Sequence, residues 1–249
     1  MNTVYVLWIR QLKRYVRSRA RIVGALGQPL LYLLAFGLGF GPTFAKAGEG
    51  SYIQFLVPGV IGMSILFTAL FSGVDLIWDR QFGFLKETLV APVPRLMIMI
   101  GRTLGGATVA MLQGLILVVL CLLVGFRPAG WHAWPLAFLY MGLIAVMFTA
   151  LGTAIASVLE DFQGFQLVMS FLVMPIFFLS GALFPLNNTI GPIKIIASFD
   201  PLSYGVDGLR GALTGGGYHF GATTDLAVMS SLTACLLALG TYLFSKVQL

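Results

Sequence analysis

The side chains able to do chemistry are few in this chain, and their positions exclude most reactions. His132 and His219 stand far apart, and neither has cysteines, histidines or carboxylates around it at metal-ligand spacing; each reads as a solvated loop residue and not as a base or a ligand. None of the five lysines follows a glycine, so the Gly-Lys-Ser/Thr loop that cradles phosphates is missing and the chain has no means of its own to hold ATP. Asp75, Glu160 and Asp161 fall at the ends of apolar runs and not inside them. A proton-coupled pump or a voltage sensor needs charge within the membrane, and that machinery is lacking. Cys121 and Cys235 lie inside apolar runs, where they read as small packing residues.

Two charged segments have helical order. Over residues 4–21, Val4, Trp8, Leu12, Tyr15 and Val16 share one face and Arg10, Arg14, Arg17 and Arg21 the other, with Lys13 near them. This pattern predicts a helix lying in the membrane interface, its arginines toward anionic headgroups. It serves either as a topological anchor or as a lever contacting a partner. The second segment lies in the loop 76–102. Residues 82–90 predict a short helix that stops before Ala91-Pro92-Val93-Pro94. Phe82, Leu85 and Leu89 recur at helical spacing beside Lys86 and Glu87, which makes a knob that another protein can grip or, equally, a loop resting on the bilayer.

The elements that must position these segments follow from composition. Charged residues make up 10% of the 249 and hydrophobic ones 58%, against about 25% charged in a soluble domain. A soluble enzyme could not cover its surface with 24 charges, and a disordered or fibrous chain is equally excluded. Uncharged runs of 24, 25, 24, 32, 32 and 20 residues separate the charges, and a spanning helix needs about 20. We place six spans near 22–41, 52–75, 103–125, 136–158, 165–184 and 226–245, in one domain over 1–249 with 1–21 as its amphipathic lead and 22–245 as the bundle. The runs lack the short alternation of strands, which argues against a barrel.

Six spans put both termini on one side. With that side cytoplasmic, eleven of the fifteen Lys and Arg lie inside, as the positive-inside rule asks. The net charge of +6 is therefore topology and not a nucleic-acid surface, because the basic residues flank spans. The basic lead and the Ala45-Lys46-Ala47 triplet resemble a signal peptide, but the apolar run is longer than such peptides carry, so a retained first span is expected.

A set of motifs then appears in order: Tyr52-Ile53-Gln54-Phe55-Leu56-Val57-Pro58-Gly59; Arg80, Gly83, Lys86-Glu87 and Leu89-Val90-Ala91-Pro92-Val93-Pro94; Gly101-Arg102; Leu179-Ser180-Gly181; Phe184-Pro185; Asp200-Pro201-Leu202-Ser203-Tyr204; and Asp207-Gly208-Leu209-Arg210. In this the chain resembles the membrane subunit of a type 2 ABC exporter, in the group of drug-resistance, nodulation-factor and polysaccharide export permeases. The resemblance covers almost the whole chain. It implies a homodimeric pore above two ABC ATPase subunits, which would carry the ATP and Mg, with no cofactor on this chain. It implies that Arg80, Phe82, Gly83, Phe84, Leu85, Lys86, Glu87 and Pro92 form a coupling helix and its flanks, seated in an ATPase cleft. Trp8, Arg10, Arg14 and Arg17 would belong to a connecting helix beside it, and substrate would pass between the second and fifth spans of the two copies.

Two apolar stripes are candidates for that path: Met63, Phe67 and Phe71 on span two, and Phe171, Met174 and Phe178 on span five. Such faces suit amphiphiles, and they also suit lipid or core. Between spans five and six, Pro185, Asp200, Pro201, Tyr204, Asp207 and Arg210 mark a re-entrant helical hairpin. Asp200 is placed as an N-cap, Pro201 as the first helical residue, and Asp207 and Arg210 as an i, i+3 pair. The expectation is an all-α, six-span permease of the bacterial inner membrane, both termini cytoplasmic, exporting an amphiphilic molecule. The alternatives are export of a lipid-linked polysaccharide, an ion-coupled secondary transporter, and a membrane scaffold that transports nothing.

Overall fold

Apolar runs that must bury their backbone polar groups in lipid form helices, and the computed structural model is built of them. It describes residues 3–46, 51–90, 93–159, 161–186 and 189–246, with no strand among them. The chain enters through α1 (Thr3–Arg17), breaks at Ser18, and continues as α2 (Arg19–Lys46). Then come α3 (Tyr52–Phe71), α4 (Val74–Gln81), α5 (Phe84–Val90), α6 (Arg95–Val124), α7 (Ala133–Val158) and α8 (Phe162–Leu179). The segment between the fifth and sixth apolar helices holds α9 (Gly191–Phe199) and α10 (Pro201–Thr214), and α11 (Ala222–Ser245) completes the fold.

Six segments are long and apolar enough to cross a membrane: Arg19–Gly41, Tyr52–Gln81, Arg95–Val124, Ala133–Val158, Phe162–Leu179 and Ala222–Ser245. The third begins at Arg95 and not near 103. Its helix of 30 residues is about 45 Å long, more than the ~30 Å hydrocarbon core, so its first turns have length to spare for other contacts. The fifth ends at Leu179 and not near 184, because the chain turns at Ser180 and Gly181.

α3 and α7 are the most buried spans, and α2, α8 and α11 the most exposed. α7 packs against α11, α3, α6 and α10. Where α3 gives way to α4, Gly73 lies so close to α7 that a Cβ there would stand 2.7 Å from the Gly152 carbonyl carbon. Small residues at helix crossings let backbones approach in this way.

Candidate functional site

At the end of the bundle that carries α1, α4 and α5, one ionic cluster joins four helices. α1 lies along the first turns of α6. Gly101 and Gly105, one helical turn apart, make room for it: a Cβ on Gly105 would sit 2.8 Å from the Gln11 Cβ, and one on Gly101 3.0 Å from the Leu7 Cβ. Trp8 Nε1 donates to Thr108 Oγ1 at 3.0 Å. The Tyr15 hydroxyl donates to Gln113 Oε1, and Gln113 Nε2 donates to the Ile22 carbonyl at 3.3 Å. The buried face of α1 is Leu7, Gln11 and Tyr15, while Val16 is exposed. The apolar stripe expected from spacing is thus rotated toward a protein partner, α6.

The arginines are also placed differently from expectation. Arg10 and Arg102 both meet Asp79 Oδ2. Arg14 and Arg21 reach Asp75 Oδ1 at 3.2 and 3.7 Å, and the Arg14 guanidinium lies 5.5 Å from the centre of the Trp78 ring. Both aspartates are buried. Buried carboxylates require countercharges, so three of the arginines assigned to headgroups on sequence grounds pair inside the protein; Arg17 stays exposed. Asp75, Asp79 and Arg102 were absent from the sequence-predicted site. Their signal was present as an i, i+4 acidic pair facing an i, i+4 arginine series.

α4, which carries both aspartates, leads directly into α5. Gly83, with φ +82°, makes the left-handed turn between α4 and α5 that suits glycine. The helix starts at Phe84 and not at residue 82; Phe82 is the C-cap of α4. Phe82, Phe84 and Val90 are exposed, and Leu85 is buried in the chain's own core. Of the residues expected to seat in an ATPase cleft, Phe84 therefore faces out and Leu85 faces in. Glu87 is exposed. Arg80, expected at the partner surface, donates instead to the Leu159 carbonyl at 2.9 Å and the Ser157 carbonyl at 3.1 Å. It closes the carbonyl end of α7, as basic residues do at helix C-termini. The Lys86 side chain and Pro92 lie outside the described residues.

The two stripes do not face one another within the protomer. Met63 is fully buried, and Phe171, Met174 and Phe178 are exposed, Phe171 at 82%. Phe165, Met169, Val173 and Phe177 supply the buried face of α8, and α3 meets it through Phe71 edge-on to Phe165 at 6.3 Å. Phe67 and Phe71 border a cleft toward α2.

At the opposite end, Asp200 caps α10, accepting from the Leu202 N–H at 2.9 Å, with Pro201 in the first turn as expected. Burial pushes the Asp200 carboxyl up to about 7, against the pull of that hydrogen bond. The Tyr204 hydroxyl donates to the Ser198 carbonyl at 2.7 Å, fastening α10 to α9, and Thr189 Oγ1 donates to the Pro185 carbonyl at 3.0 Å. The expected Asp207–Arg210 pair is not formed. Asp207 accepts from the backbone N–H of His219 and Phe220 at 2.7 to 2.9 Å. Arg210 donates to the Gly181 carbonyl at 2.9 Å and the Phe55 carbonyl at 3.3 Å, and its guanidinium stacks 3.9 Å from the Phe55 ring centre. Backbone groups of the 219–220 loop take Asp207, and those of α3 and of the turn after α8 take Arg210. Arg210 thereby ties the buried turn after α8 to α3.

A six-span helical bundle with an exposed short helix braced by ion pairs at one end, and a capped helix pair at the other, defines a multi-pass membrane subunit. Residues 2–214 match the ABC-2 type transporter family, and the chain belongs to that family. It is 27% identical over 206 residues to the inner membrane transport permease YadH of Escherichia coli K12, covering 82% of this chain and 80% of that one. It is 29% identical over 213 residues to nodulation protein J of Rhizobium leguminosarum bv. trifolii, covering 85% and 78%. The chain is a transmembrane subunit of an ABC transporter, and the family implies an ATP-binding partner subunit.

Proposed function

We propose that two copies of this chain form the export path for an amphiphilic molecule in the bacterial inner membrane, driven by ATP hydrolysis, with Mg, on two separate ATPase subunits. Both termini and α5 face the cytoplasm in this reading, in keeping with the excess of Lys and Arg at that end. The ATPase grips α5. The single observation carrying this is that Phe84 and Glu87 are exposed on a short helix whose Leu85 is buried, so the helix is held firmly on one side and offers an aromatic anchor with a charged neighbour on the other. Force on α5 passes through α4 to Asp75 and Asp79, and from there to α1, α2 and α6.

The exposed Phe171, Met174 and Phe178 of α8 line the path against the second copy. α9 and α10 form a re-entrant hairpin at the outer end, their backbone satisfied by the caps and ties described above.

The test is association with the partner ATPase subunit. Phe84→Ala and Glu87→Lys should leave insertion intact and weaken association about thirtyfold, the equivalent of a ~2 kcal/mol hot spot. Wild-type association together with wild-type transport in both variants would sink the assignment.

A further inference from the structure

A cleft opens beside the ionic cluster, on the face of α3 that carries Phe67 and Phe71. It has a volume of about 360 Å³ and is lined by residues of α1, α2, α3 and α6, with none from α8. Its walls are apolar: Ala25 and Pro29 of α2 face Met63, Phe67 and Phe71 of α3. Along α2 the lining runs from Arg21 to Pro29, eight helical residues or about 12 Å, close to the ~15 Å hydrocarbon depth of one leaflet.

The polar groups sit where the α1–α2 elbow meets this cleft. Tyr15 and Gln113 are satisfied by each other and by the Ile22 carbonyl. Arg21 is held less completely. Its carboxylate contact is Asp75 Oδ1 at 3.7 Å, and Arg14 holds the same oxygen at 3.2 Å. Across the cluster four guanidinium groups, from Arg10, Arg14, Arg21 and Arg102, share two carboxylates, an excess of two positive charges, and Arg21 is the member of the four that lines the apolar slot.

We propose that this cleft is a binding site for an anionic phospholipid of the leaflet on the arginine side. One acyl chain lies between Ala25 and Pro29 of α2 and Phe67 and Phe71 of α3, and the phosphate sits against Arg21. The apolar length matches a chain in one leaflet, and the unbalanced charge matches an anionic headgroup. Since α1, α2 and α3 all border the cleft, a seated lipid braces the elbow through which α5 and the spans communicate.

Gly24 provides a clean probe, because a Cβ at this lining position meets nothing within 4 Å. Gly24→Leu therefore starts its side chain in open space within the slot and removes a helix-weakening glycine. The 249-residue chain would be delipidated in detergent, supplied with dioleoyl-phosphatidylglycerol or dioleoyl-phosphatidylcholine, and its bound lipid counted by native mass spectrometry. Wild type should retain phosphatidylglycerol at least about fivefold better than phosphatidylcholine, as one arginine near a membrane surface provides. Arg21→Gln should erase most of that preference, and Gly24→Leu should cost one bound lipid of either kind.

Equal retention of the two lipids by wild type, or wild-type retention by Gly24→Leu, overturns the proposal. Loss of a dimer in place of lipid in Gly24→Leu would assign the cleft to a second copy and overturns it as well. The readout needs neither ATPase nor transport, so it fails or succeeds independently of the proposed function.

Discussion

Asp79 is the residue on which the ionic cluster of α1, α2, α4 and α6 should turn, and its three possible disruptions differ in size for a reason visible in the structure. The Asp79 side chain is 7% exposed and meets two arginines: Arg102, 5% exposed, and Arg10, 37% exposed. Asp79→Ala leaves Arg102 buried with its countercharge gone. Breaking a buried pair from one side costs about 3–5 kcal/mol. Arg102→Ala strands Asp79 in the same way, although Arg10 can move in to compensate, so the loss falls toward the lower end of that range. Arg10→Ala removes a pair that water already screens, worth under about 1 kcal/mol.

Replacing both buried partners together, Asp79→Leu with Arg102→Met, should recover most of the loss, because an apolar pair of similar size leaves no orphan charge. The assay is equilibrium unfolding in mixed micelles with rising denaturing detergent, paired with trypsin cleavage within α1 at Arg10, Lys13 and Arg14. Asp79→Ala should lower the midpoint most and expose α1 to cleavage; the double replacement should do neither to the same extent. If Arg10→Ala costs as much as Asp79→Ala, or if the double replacement is worse than either single one, the account of the cluster as a buried, charge-balanced joint between α1, α4 and α6 is refuted.

Further outcomes follow from particular contacts. Gly152→Ala would place a Cβ 2.9 Å from the Leu70 Cα and should destabilise the α3–α7 crossing by about 1–3 kcal/mol. Gly142→Ala, with nothing within 4 Å, should be neutral or slightly stabilising, and unfolding midpoints compare the two. Asp200, pushed up to about 7 from 3.8 by burial, keeps its proton in the folded chain after the unfolded chain has lost it. Its contribution is therefore fully present below about pH 4 and lost as the pH rises through about 7. Thermal stability should rise between about pH 8 and about pH 5 by more in wild type than in Asp200→Asn; equal slopes would contradict the burial argument. With Cys121 and Cys235 replaced, a single cysteine at Phe84 should react with an impermeant thiol reagent only from the cytoplasmic side, and labelling in intact cells would reverse the topology.

Much of this protein was legible without coordinates because the bilayer makes the decisive constraint local. A segment of about 20 uncharged residues must satisfy its own backbone within itself, so the number and type of spans followed from the runs alone. The Asp200 cap is equally local, since it needs only a residue and its next few neighbours. The partners of the charges were a different matter. Arg14 and Asp75 are 61 positions apart and Arg10 and Asp79 are 69 apart, and no periodicity within α1 could say whether its arginines would find headgroups or buried carboxylates. Spacing offered Asp207 to Arg210, but loop backbones brought close by the fold took both. Leu85 and Phe84 are adjacent and both apolar, and only the packing of α5 against the bundle turned one inward and left the other exposed. Helix existence depends on what a segment does with its own hydrogen bonds, whereas the direction of a side chain is decided by neighbours that only the tertiary structure supplies.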